Sequence, residues 1–176
     1  RFDTTAGITN FGPITRAAAE GTGAQLFVDW SPGGGDLTLR SITAFREDEY
    51  ESPIDFDSTA ARTFDVPVFY QNEQFSQELQ LIYEGERLSI VAGAYYLDAN
   101  AFDAFDAIFT SISQFTLGDV DTKTWAVFGE ATFDLTDALS LTVGGRYTED
   151  ERNAVVIRQT FFSAPSPYFG GPGVIG

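Results

Sequence analysis

The densest chemistry in this sequence is carboxylate set beside phenyl rings. Asp55 and Asp57 flank Phe56, while Asp103 and Asp106 stand among Phe102, Phe105 and Phe109. Paired carboxylates in a loop supply the oxygen ligands that Ca²⁺ takes. Neither stretch has the Gly and Glu positions of an EF-hand loop, and the alternative is a solvated acidic loop. Phe102, Asp103, Phe105 and Asp106 are candidate ligand contacts from a loop, their rings either stacking on an aromatic ligand or packing the loop itself. No resident metal or cofactor is assigned.

Other chemistry is excluded by residue type. The 176 residues contain no His and no Cys, which removes imidazole catalysis, thiolate metal sites and disulfides. There is no G-x-S-x-G, Walker or H-E-x-x-H motif, and Gly33-Gly34-Gly35 reads as a turn, not a phosphate cradle. No enzyme is expected. A formal net charge of −16 would repel a phosphate backbone, so nucleic acid is not an expected partner.

The elements that carry these residues are strands. In Leu139–Thr148, Leu139, Leu141, Val143, Gly145 and Tyr147 alternate with Ser140, Thr142, Gly144, Arg146 and Thr148, the period of a strand with one apolar and one polar face. Trp125–Asp134 alternates likewise, and Leu135–Ala138 turns it into a hairpin. A second hairpin turns at Glu84–Arg87, with Phe75, Gln77, Leu79, Leu81 and Tyr83 on one face of its first strand. A third turns at Ser31–Asp36; its return strand, Leu37–Arg46, alternates less cleanly. The hairpins are expected over about 23–50, 73–98 and 121–152, with long acidic loops over about 51–71, 99–120 and 153–176.

Short turns at one end and long loops at the other is the plan of an outer-membrane barrel. No segment is long and apolar enough for a membrane helix. Phe75 and Tyr83 lie eight positions apart on one face, as do Trp125 and Phe133. Eight tilted strand residues climb about 20 Å, close to the ~25 Å apolar band that aromatic girdles bound. The expected girdle is Phe75, Tyr83, Tyr96, Trp125, Phe133 and Tyr147. Glu78, Gln80, Glu130, Thr132, Arg146 and Thr148 are the lumen-facing candidates, either touching what the lumen holds or passes, or forming a solvated wall. The fold class is all-β: an antiparallel, up-and-down transmembrane β-barrel segment of about six strands, open when alone.

Several phrases resemble a known family. Phe75-Ser76-Gln77-Glu78-Leu79-Gln80-Leu81, Leu88 to Asp98, and Trp125 through Arg152 (WAVFGEATFDLTDALSLTVGGRYTEDER) are similar to barrel strands of TonB-dependent outer-membrane receptors. The resemblance covers about Gly23 to Arg152. It implies part of an importer of a scarce small-molecule nutrient, such as a siderophore, cobalamin or carbohydrate, in the outer membrane of a Gram-negative bacterium. Its implied partners are outer-membrane lipid, a plug domain and TonB. The sequence shows no plug domain, TonB box or closing strand, and both ends read as cuts in a longer chain. A passive porin segment and a soluble β-sandwich binding module are the alternatives.

Overall fold

Alternating side chains on a pleated backbone give six long strands in the structure, a computed structural model that describes residues 14–58, 63–162 and 167–169. The strands are β1 (Ala18–Trp30), β2 (Leu37–Asp55), β3 (Phe64–Glu84), β4 (Leu88–Phe109), β5 (Ile112–Thr136) and β6 (Leu139–Phe162). They form one sheet in sequence order, each antiparallel to the next. Among the described residues the sheet does not close, and β1 and β6 are its edges.

The three expected tight turns lie together at one end. The first needs glycine: Gly33 and Gly34 both have positive φ, 74° and 64°, a region that costs a side chain dearly. Neighbouring turns are tied through the backbone, with Glu84 N–H donating to Asp36 O at 2.8 Å and Asp134 N–H to Arg87 O at 3.0 Å.

The other end corrects the expected loops. Residues 51–71 and 99–120 are mostly strand, and so are 153–162; β4 and β5 are separated only by Thr110 and Ser111. The two ends of the sheet therefore differ in strand projection, not in loop length. Two physical features hid these extensions. Residues 99–109 carry Phe, Ala and Asp on both faces, so period 2 is invisible in hydropathy. Pro53 and Pro67 also read as breakers, yet they stand opposite each other at one rung, and the β3–β4 register skips Val66 and Pro67, where an N–H is missing.

Asp55 and Asp57 organise the remaining connection. Asp55 Oδ1 accepts the N–H groups of Asp57 and Ser58 at 3.1 and 2.8 Å, and Asp57 Oδ2 accepts those of Thr63 and Phe64 at 3.0 and 2.8 Å. These carboxylates thus satisfy loop backbone.

The buried cluster sits in the projecting part. Phe102, Ala104, Phe115 and Leu117 of β4 and β5 are covered by Ile14 and Phe169. The Phe115 and Tyr168 rings pack at a tilt, 4.3 Å between centroids, and the Tyr168 hydroxyl donates to Gln159 Oε1 at 2.9 Å.

Candidate functional site

Register assigns every strand residue to one of two faces, because directly paired residues point the same way. Odd residues of β2, β3, β5 and β6 share a face with even residues of β1 and β4. Toward the tight-turn end this first face is an apolar band. Leu26, Val28, Leu79, Leu81, Val127, Leu141 and Val143 are all exposed there, Val143 by 61%. Phe75, Tyr83, Tyr96, Trp125, Phe133 and Tyr147 all fall on it, joined by Trp30 and Phe45. Tyr83 and Phe133 lie toward the turns; Phe45, Phe75, Tyr96, Trp125 and Tyr147 lie at the far border, with the Trp125 and Tyr147 rings 5.4 Å apart. Beyond that border the same face turns charged, with Glu47, Glu73, Asp98, Lys123 and Glu149.

The uneven alternation of β2 has a local cause. Ser41 and Thr43 point to the apolar band, opposite Leu79 and Gln77. Thr43 Oγ1 donates to Gln77 Oε1 at 2.6 Å, and Gln77 Nε2 donates to Ser41 Oγ at 3.0 Å. Three polar side chains thus satisfy one another, which lowers the cost of placing them among apolar neighbours.

Glu78, Gln80, Glu130, Thr132, Arg146 and Thr148 all lie on the second, polar face. They spread along a wall. Gln80, Gly93, Phe128 and Arg146 share one row, and Glu78, Tyr95, Ala126 and Thr148 share the next. Gln80 Nε2 donates to Glu78 Oε1 at 2.6 Å, the Thr132 and Thr142 hydroxyls meet at 2.9 Å, and Arg146 Nε donates to Thr148 Oγ1 at 2.9 Å. The Arg146 guanidinium stands 6.0 and 5.8 Å from the ring centroids of Tyr95 and Phe128, cation–π range. Glu130 faces Gly144, so it and Arg146 are not opposite each other. Asp29 and Arg40, opposed on β1 and β2, form a two-pronged ion pair on the same face, with both N–O distances 2.8 Å.

The expected loop site is not assembled. Phe102, Asp103, Phe105 and Asp106 are strand residues of β4. Phe102 and Asp106 point to the first face, where both are buried. Asp103 and Phe105 point to the second. Pleating sends them to opposite sides, so they cannot surround one ligand. Burial pushes the Asp103 carboxyl above its ordinary pKa.

A concave feature of the polar face was missed in the sequence. A cleft of about 380 Å³ is walled by Arg46, Asp48, Asn72 and Gln74 over Ala99, Ala101 and Thr122. Asn72 Nδ2 donates to Asp48 Oδ2 at 2.8 Å, and Arg46 Nε lies 3.2 Å from Asp48 Oδ1. One rung further from the turns on this face, Tyr50 and Tyr70 stand opposite each other, ring centroids 5.9 Å apart. Extending the β3 alternation backwards through Ser76, Gln74 and Asn72 to Tyr70 would have found this column.

A wide exposed apolar band edged by rings, backed by a polar wall, defines the wall of a membrane β-barrel. The chain belongs to the family described as TonB dependent receptor-like, beta-barrel, whose model matches residues 2–171. Among solved structures it is similar to the ferric yersiniabactin uptake receptor FyuA from Yersinia pestis, with a TM-score of 0.72 and 17% identity over 85% of this chain. That likeness covers 23% of the FyuA chain and shows the fold. A comparison with curated proteins gave no match.

Proposed function

We propose that this barrel segment is part of the wall of a nutrient importer in the outer membrane of a Gram-negative bacterium. The carrying observation is the exposed apolar band with aromatic rows at both borders. A face this apolar is unstable against water, and its height fits hydrocarbon. The first face then meets lipid and the second lines the lumen, where Glu78, Gln80, Glu130, Thr132, Arg146 and Thr148 form a hydrated wall. The family supports a small-molecule cargo, a plug inside the barrel and energy delivered through TonB. FyuA, named for uptake of ferric yersiniabactin, supports that class of cargo handling. No catalytic step is assigned to the chain.

The test uses the intact receptor that carries this chain. It should fractionate with the outer membrane, and cells expressing it should accumulate its nutrient only while TonB is present. Uptake that persists unchanged after TonB is deleted would make the barrel a passive channel instead.

A further inference from the structure

We infer that the polar-face cleft beside Tyr50 and Tyr70 is a binding subsite for an uncharged, hydroxyl-rich ligand, a saccharide chain. The inference rests on the import reading and narrows its cargo. Position comes first. Arg46 and Gln74 are the rung next to Phe45 and Phe75, the border of the apolar band. Tyr50 and Tyr70 stand four residues further along the strands, about 13 Å of rise. The column therefore occupies the mouth of the barrel, where a ligand arriving from outside first meets the wall.

Composition comes second. Of the residues that line it, those on the polar face offer two amides, a carboxylate and a guanidinium, groups that together donate and accept at short spacing as vicinal hydroxyls require. Asp48 already accepts from Asn72 and pairs with Arg46. The guanidinium charge is thus balanced, and Asp103 beside Tyr70 adds negative charge. Among the described residues that line the cleft, an anionic chelate would find no surplus cation. Above the cleft, Tyr50 and Tyr70 are each 39% exposed on the polar face, where the apolar band needs no rings. Rings offered to water beside convergent amides suit the C–H face of a sugar, apolar in its middle and polar at its edge. The floor of Ala99, Ala101 and Thr122 leaves the depth for it, and about 380 Å³ lies within the range of small-molecule sites.

The experiment measures binding to the purified intact receptor in detergent. The probes are neutral gluco-, xylo- and manno-trisaccharides, with ferric citrate as an anionic comparison. At least one trisaccharide should bind saturably, with an affinity that holds as ionic strength rises from about 0.05 to about 0.5 M. Tyr70→Ala and Asn72→Ala should each weaken it about tenfold. Tyr70→Phe, which keeps the ring, should retain it, and Tyr147→Ala on the opposite face should leave it unchanged. The inference is overturned by ferric citrate binding without any trisaccharide, by no binding at all, or by sugar binding indifferent to Tyr70→Ala and Asn72→Ala. A loss of equal size in Tyr147→Ala overturns it too, as general damage. TonB-dependent uptake measured in parallel separates the two readings: its survival without sugar binding sinks only the subsite, and its absence sinks the import reading itself.

Discussion

The same strands cross two environments, and their apolar residues behave oppositely in each. Near the tight turns, Leu79 and Val143 are 55% and 61% exposed, and none of the described residues covers them. Past the charged rows, Phe102 and Phe115 on that same face are 2% and 0% exposed, covered by Ile14, Tyr168 and Phe169. A strand leaving hydrocarbon must find its own cover for apolar side chains, because water will not accept them. The border rings and the charged residues behind them mark where that change of solvent occurs.

The contrast can be broken at either end. Phe115→Ala removes the ring that Tyr168 and Phe169 pack on, and should cost about 3–5 kcal/mol. Equilibrium unfolding should give the same loss in micelles and in bilayers of different thickness. A loss that varies with the lipid would place Phe115 in the membrane and erase the distinction. Val143→Arg should cost about 2–4 kcal/mol in bilayers, with Tyr147→Arg near the border costing about 0–1. Thr142→Arg, one residue away on the polar face, should cost far less than Val143→Arg. Equal penalties at 142 and 143 would mean the faces are misassigned.

Gly93→Ala sharpens the comparison on the polar face that backs the band. A Cβ there would lie 2.5 Å from Leu79 O and 2.6 Å from Phe128 Cζ. The ring can turn aside but the strand carbonyl cannot, so unfolding measurements should show a loss of about 1–3 kcal/mol. The smallest expected effect is at Asp103, in the projecting part. Its folded pKa is raised by burial, so ionisation costs the folded state. The penalty is absent below the ordinary carboxylate range, grows as pH rises through it, and is complete above the raised value. The stability of Asp103→Asn relative to the parent should therefore climb with pH over that interval. A difference that falls with pH would contradict the burial.

What the sequence made legible was whatever a single alternating face could show. Leu139–Thr148 and Trp125–Asp134 each put one solvent on each side, so their pairing, turn and facing could be read directly, and the structure pairs them so. The extensions were illegible because both faces mix characters: Phe102 with Asp106 on the first, Phe105 with Asp103 on the second. Acidic content then imitated a loop. The Arg46–Tyr70 column escaped for a related reason, since Tyr70 and the floor residues Ala99 and Ala101 lay in segments read as loop, and Arg46 on the strand whose alternation Ser41 and Thr43 blur. The aromatic rows were visible from spacing alone because eight residues is a physical height.

The rim of linked turns bears on how such a sheet can be made. Each strand pairs only with its neighbours in sequence, and the connections closing the pairs run from two residues at Thr110–Ser111 to eight at Phe56–Thr63. Closing so few residues costs little chain entropy, so each hairpin can start at its connection and lengthen from there. The Glu84–Asp36 and Asp134–Arg87 backbone bonds fasten each finished hairpin to the one before it. Assembly can then advance like a zip whose teeth meet first at the rim, each new hairpin templated by the last, with one unpaired growing edge at any moment.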